Sequence, residues 1–383
     1  MREGTVWRFS LPAMLAAALA TSAVPASAAE DDFTYRVVHQ FDEATDGPRY
    51  PQLLQTGVTV GSDGALYGVS LAGGRNSAGA AFRVSVQTGE AEVLHAFGKG
   101  DTDAANPTSR PVEQRKGYFV GVSQSGGRFG GGMYYRMNAE GHIRSLHDFV
   151  QALQPSVPVR AGDGWLYGVH AVGGDHGHGC IYRLGPAGEY EELYSLRSMD
   201  GANPLGPLLL ARDGHLYGVA RNGGKKDHGT LFRISTDGHF ERLHEFNNGR
   251  VGSEPNSPLM QTRDGVIYGS ASEGGQAFYG TLYRFRPGKD VEVAYTAPPG
   301  ETPVSSPVEG PDGRLYFMSS PHGSSKLMRL DPETGIAEVV GLVTGAATEV
   351  TGSLAMGADG SLYGTTRLPL GGVVFEFGPK QTH

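Results

Sequence analysis

Residues 213–224 read DGHLYGVARNGG, and the phrase returns at 63–74 (DGALYGVSLAGG), 163–174 (DGWLYGVHAVGG) and 264–275 (DGVIYGSASEGG). A weaker copy, KGYFVGVSQSGG, starts at 116, and degenerate copies, DGRLYFMSS and DGSLYGTTR, start at 312 and 359. With its Tyr as marker, the phrase falls on Tyr67, Val120, Tyr167, Tyr217, Tyr268, Tyr316 and Tyr363. The steps are therefore 53, 47, 50, 51, 48 and 47 residues. A period near 50 residues is the sequence mark of a propeller or solenoid.

Outward from the phrase, the fourth repeat holds four strand-like runs: PLLLA, HLYGVA, TLFRI and FERLHEF. Asp213-Gly214, Gly223-Gly224 and Asp237-Gly238 punctuate them, and such dipeptides suit hairpin turns. Four short antiparallel strands per repeat make a propeller blade. The stretch TYRVVHQF near the N-terminus matches the fourth run of other repeats, whereas the last repeat stops after its third, VVFEF. The N-terminal strand is thus expected to complete the last blade and remove two open sheet edges. The expected fold is all-β: a seven-bladed β-propeller of four-stranded antiparallel blades, closed by that strand. An open solenoid would instead carry polar capping repeats.

Composition agrees. Glycine supplies 59 of 383 residues, a load that long helices tolerate poorly and tight turns accept. Arg2 and Arg8, the apolar run LPAMLAAALATSAVP and Ala26-Ser27-Ala28 read as a cleaved export signal over residues 1–28. Residues 29–383 then form one propeller domain of seven repeats. The apolar run is too short to span a bilayer, so no membrane span is expected after cleavage. Cys180 is the single cysteine, which rules out an intramolecular disulfide. The formal charge of −8 without a basic block argues against nucleic acid as partner. A monomer, periplasmic or extracellular, is expected.

The recurring LYG, the Gly-Gly turn, GTLFRI at Gly229–Ile234 and DGANP at Asp200–Pro204 resemble the GloVer tandem repeat of choice-of-anchor tandem repeat proteins, which are exported bacterial proteins. The resemblance covers nearly the whole mature chain and is best in repeats three to five. It implies export and a tandem-repeat fold; no catalytic residue comes with it. The final residues, VVFEFGPKQTH, lack an apolar tail and a basic end, so sorting by a C-terminal anchor is not expected.

Loops between second and third strands share a propeller face with the connections between blades. This puts GGDHGHG (173–179) and GGKKDHG (223–229) beside Asp200–Pro204. His176, His178, Asp200, Asn203, Asp227 and His228 are the candidate ligand-binding residues. Asp175, His176, His178 and His228 are the candidate metal ligands, because imidazole and carboxylate suit zinc or another transition metal. The competing reading is that aligned His178 and His228, with Tyr279 next, fill a turn. No cofactor is required; a divalent metal is the one these residues would take. A second candidate, Asp101, Asp103 and Asn106 with Asp200 and Asn203, offers oxygen ligands for Ca²⁺ but also ordinary turn formers. Arg83, Arg136, Arg183, Arg233, Arg284 and Arg329 recur at the end of the third strand, with Glu376 in the seventh repeat. Such a ring of guanidinium groups suits an acidic polymer, but a residue repeated from unit to unit is expected to be structural, here pairing with a carboxylate of the next blade.

No P-loop, dinucleotide fingerprint, HExxH or nucleophile elbow is present. The expected function is a non-catalytic binding or scaffold module for a glycan or protein. The alternative is a lyase or hydrolase acting on a polysaccharide or metabolite through His176, His178 and His228.

Overall fold

The computed structural model describes residues 32–46, 49–151, 153–255, 257–321, 325–344, 349–367 and 371–380. The expected export segment lies outside them. Seven antiparallel sheets of four or five strands follow one another along the chain, with a two-stranded piece, Pro51–Gln52 on Ala72–Gly73, beside the first. Seven apolar clusters fill the spaces between neighbours. One cluster joins Val374 and Tyr363 of the seventh blade to Val58, Leu66 and Phe82 of the first. That contact makes the arrangement a closed ring. The helical content among the described residues is the single turn Glu43–Asp46.

Each blade has an inner strand a, then b and c, and an outer strand d. In blade 4 these are Ala202–Leu210, Leu216–Asn222, Thr230–Ile234 and Phe240–Glu245, paired in that order. The seventh blade takes its outer strand from the other end of the chain. Phe33–Phe41 pairs antiparallel with Gly372–Pro379, from Phe33 opposite Pro379 to Phe41 opposite Gly372. Phe33 packs edge-on against Tyr316 of blade 6, and Phe41 lies 4.8 Å from Phe82 of blade 1. The expected closure is therefore what the chain does, and the strand bridges three blades.

The repeated phrase has a physical reason at each letter. Asp63 Oδ1 accepts from the Ala65 amide, and its Oδ2 accepts from the Tyr67 hydroxyl at 3.0 Å. The same pair of bonds joins Asp163 to Tyr167, Asp213 to Tyr217 and Asp312 to Tyr316. The aspartate thus closes the a–b turn and satisfies a buried phenol four residues on. The Gly of LYG makes room for a ring from strand c: a Cβ on Gly218 would sit 2.5 Å from Phe232 Cζ, and one on Gly68 2.3 Å from Phe82 Cζ. Blade 6, where Phe317 replaces that Gly, has Met328 opposite instead of an aromatic. The ring has changed strands and the space stays filled.

Most strand-c arginines pair with carboxylates of their own blade; Arg136 faces Arg144 instead and lies over the Tyr118 ring. Arg183 Nε donates to Glu191 at 2.9 Å, Arg233 Nε to Glu241 at 2.7 Å, and Arg329 Nε to Glu338 at 2.8 Å. Strands c and d are direct neighbours, so the carboxylate on d is the nearest partner; this corrects the expectation of a partner on the next blade. Three of the arginines also reach forward: Arg183 to the Thr236 carbonyl, Arg284 to the Pro332 carbonyl, and Arg329 to the Asp32 carboxylate ahead of the strand that completes blade 7. Blade 7 reverses the charges: Glu376 on c accepts from Arg36 Nε on d at 2.9 Å.

Candidate functional site

The a–b and c–d turns occupy one face of the ring; the b–c loops and the connections from d to the next a occupy the other. Antiparallel strand order requires this, and the candidate loops therefore do share a face. What their side chains do there is mostly local. Asp200 Oδ2 accepts from the Tyr194 hydroxyl at 2.9 Å and the Arg197 amide at 3.1 Å. Its carbonyl accepts from Thr230 Oγ1 at 2.7 Å. Asn203 sits at φ +55°, its amide donates to the His178 carbonyl, and its Nδ2 donates to Asn222 Oδ1. Asp227, at φ +58°, accepts from the Gly223 amide at 2.7 Å and so fastens its own loop. The His228 carbonyl accepts from the Glu254 amide, so both aligned histidines hold the next blade through backbone, not imidazole.

Asp175 and His176 are exposed and line a lateral notch of about 460 Å³ with Glu192, Tyr194 and Arg197. His178 and His228 do not line it. Among the described residues no three His, Cys, Asp or Glu side chains gather so as to hold a metal ion.

Asp103 of the second candidate set is similarly engaged. Its carboxylate accepts from His95 Nε2 at 3.0 Å and from the Lys99 and Ala104 amides. Burial works to raise this carboxyl, yet the imidazole and amide donors outweigh it and hold it below the usual carboxylate range. The motif behind this went unread in the sequence: a His or Tyr on strand d binds the Asp of the following connection. His39–Asp46, His95–Asp103 and Tyr194–Asp200 are three copies of it.

A larger cavity, about 980 Å³, runs along the propeller axis and is lined by the inner strands of all seven blades. Its construction begins with proline. Asn106-Pro107, Gln154-Pro155, Asn203-Pro204 and Glu254-Pro255 each place the residue before proline at φ between +51° and +55°. In blades 2, 3 and 5 a serine that follows accepts from an amide of strand b: Ser109 from Val122, Ser156 from Val169 and Ser257 from Ser270. Ser305 accepts likewise from Met318 in blade 6, and Gly206 stands at that position in blade 4. The recurring Pro-Ser phrase was therefore readable as a structural signal, and it is the signal that marks the channel wall. Further hydroxyls stitch neighbouring inner strands. Thr351 Oγ1 donates to the Leu54 carbonyl at 2.6 Å, Thr59 Oγ1 to that of Pro111 at 2.5 Å, and Ser306 Oγ to that of Pro258 at 2.7 Å.

Strand direction orders the lining. Gln55, Gln124 and Gln154 stand exposed at the loop-face mouth, and Val60, Val112 and Val308 lie toward the turn face. Between them Arg110 extends from blade 2 past blade 1, and its Nη1 donates to the Leu354 carbonyl of blade 7 at 3.5 Å. Among the described residues it is the single cationic side chain of the lining, and burial lowers the guanidinium from its ordinary value. Glu113 is the single carboxylate of the lining among the described residues. Its oxygens accept from the Ser62 amide and hydroxyl at 2.8 Å and from the Gly117 amide at 2.7 Å.

No curated protein matches the sequence. Among solved structures, a streptogramin B lyase aligns over 90% of this chain and 98% of its own, with TM-score 0.62 and 13% identity. A virginiamycin B lyase from Staphylococcus aureus aligns over 89% and 99%, with TM-score 0.59 and 14% identity. A puromycin-hydrolyzing peptidase from Mycobacterium tuberculosis aligns over 84% and 52%, with TM-score 0.56 and 14% identity. At such identities the likeness is one of fold alone. The family profile described as the Gloeobacter/Verrucomicrobia repeat matches residues 27–211 and 154–375, and the chain accordingly belongs to the Gloeobacter/Verrucomicrobia (GloVer) repeat family.

Proposed function

We propose that the chain is an exported, non-catalytic binding module that seats a small molecule or the end of a glycan in the axial channel. Residues 1–28 direct export and are cleaved, leaving residues 29–383 as one monomeric propeller. The observation carrying the binding reading is the chemistry of the channel wall. It is rich in hydroxyls and carboxamides, but among the described residues its lining holds no His, Cys, Asp or Lys. Glu113, its one carboxylate among the described residues, is held by three hydrogen bonds from Ser62 and Gly117. Acid–base and nucleophilic catalysis need a free group within reach of the reacting atom, whereas recognition needs only placed donors and acceptors in a concave site.

The loops of blades 3 and 4 are the competing site. His176, His178, Asp200, Asn203, Asp227 and His228 would serve it, with Asp175 joining the histidines if a divalent metal bound. A thermal-shift panel of glycans, cell-wall fragments and divalent metals with and without chelator separates the two sites. Ligand at 100 times its dissociation constant raises stability by about 2.7 kcal/mol. Thr108 is exposed on the channel lining, and Thr108→Trp fills the mouth without touching the core. A shift lost in Thr108→Trp and kept in the double variant His178→Ala/His228→Ala is the expected result. The opposite pattern, or a metal shift abolished by the histidine variants, would move the site to the loops and favour the lyase or hydrolase reading.

A further inference from the structure

From the wall of this channel we infer that its ligand is a polyhydroxylated carboxylate of the sugar-acid type, with Arg110 binding the carboxylate and the three glutamines binding hydroxyls. The inference rests on the channel being the binding site. Arg110 occupies a repeat position that is uncharged in every other blade: Gly57, Val157, Pro207, Pro258, Ser306 and Ser353 stand there in blades 1, 3, 4, 5, 6 and 7. It serves no repeat-wide structural need. Among the described residues it forms no ion pair, and one long bond to the Leu354 carbonyl uses one of its five N–H groups. A half-buried guanidinium left in this state costs free energy. Glu113, the one carboxylate on the same wall, is held by Ser62 and Gly117 and does not neutralise it.

The donor inventory then selects the ligand. A guanidinium only donates, in a planar fork that matches a carboxylate. Gln55, Gln124 and Gln154 line the same cavity, stand exposed at its mouth, and form no side-chain hydrogen bond among the described residues. A carboxamide both donates and accepts, which complements a hydroxyl and not an anion. One fixed cation beside three carboxamides therefore suits one negative charge carried on a hydroxylated body. A cavity of about 980 Å³ accommodates a monosaccharide acid or a short uronide.

The test is titration calorimetry of the mature protein with galacturonate and gluconate, their neutral counterparts galactose and sorbitol, and sulfate and phosphate at matched ionic strength. The expected result is saturable binding of the acids, at least tenfold tighter than the neutral sugars and the inorganic anions. Arg110→Gln should abolish that preference, so that acid and neutral sugar bind alike, and Arg110→Lys should keep part of it. Melting of unliganded Arg110→Gln at or above the wild-type temperature would show that the guanidinium is not a structural strut. Undiminished acid preference in Arg110→Gln would overturn the inference. So would a wild-type channel that binds neutral sugars as well as acids, while leaving the channel as the site. No Thr108→Trp-sensitive response to either class would overturn both readings. Inorganic anions binding as tightly as the acids would reduce the site to a simple oxyanion site.

Discussion

The arginines of strands c and the arginine on the axis are set differently. On strands c, Arg183, Arg233 and Arg329 each meet a glutamate on strand d of the same blade, and where blade 7 replaces the arginine by Glu376, Arg36 appears opposite. On the axis, Arg110 meets one backbone carbonyl. The change in blade 7 is compensated by a reversal of charge, while in blade 2 Arg136 faces Arg144 and lies over the Tyr118 ring instead; Arg110 has no counterpart of either kind. The same division separates the glycine–aromatic pairs, which exchange as Phe317 and Met328 in blade 6, from His170 in blade 3. His170 takes a position held by Ser70, Ser123, Ala220, Ala271, Ser319 and Thr366 in the other blades. It is fully buried, stacks on Tyr182 at 4.4 Å, and both ring nitrogens lack a partner among the described residues. Compensation marks what the ring needs to stand, and isolated departures mark what one blade does by itself.

Three measurements would break or sharpen that division. The largest effect is expected from Gly218→Phe, whose ring would occupy the space of Phe232 and cost about 3 kcal/mol through overpacking. Adding Phe232→Met reproduces the blade 6 arrangement and should recover at least half of the loss in chemical denaturation. Strictly additive losses would show that the two positions do not exchange volume.

A pH dependence comes next. Burial pushes the His170 imidazole down to about 3, with His147 contributing in the same direction, while the unfolded value is about 6.5. Below the unfolded value the unfolded chain takes up a proton that the fold refuses. Stability is therefore fully retained above that pH and falls as pH drops toward about 3, by up to about 1.4 kcal/mol per unit. His170→Ala, the residue of blades 4 and 5, should flatten this slope relative to wild type between pH 6.5 and 4. An unchanged slope would mean that the imidazole is not held neutral.

The smallest effect concerns the exchanged ion pair. Arg36→Glu, opposite Glu376, should cost about 1 kcal/mol, since Arg36 is half exposed and the pair is partly screened. The double reversal Arg36→Glu/Glu376→Arg restores the charge order of the other blades and should return to within about 0.3 kcal/mol of wild type. A double variant as weak as the single one would remove blade 7 from the compensated set.

Much of the fold was legible because it rests on local chemistry repeated at a near-constant interval. Asp-Gly turns, the LYG strand and alternating outer strands each act within a dozen residues, and the stray strand TYRVVHQF announced the ring by matching a strand the last repeat lacked. The candidate site was legible only in its address. Loops 173–179 and 223–229 do share a face with Asp200–Pro204, but Asp200, Asn203 and Asp227 spend their polar atoms on turns, Tyr194 and Asn222. Sequence order shows that such residues are near one another, not which partner takes their lone pairs.

By itself, then, the sequence determined the repeat count, the four-stranded unit and the order in which blades close, since hairpins and strand alternation are decided by neighbours along the chain. The axial channel was decided only in three dimensions. Its wall combines residues about 50 positions apart that have no local reason to be read together. Whether Arg110 is paired depends on what the opposite blades present, and that is a property of closure around an axis.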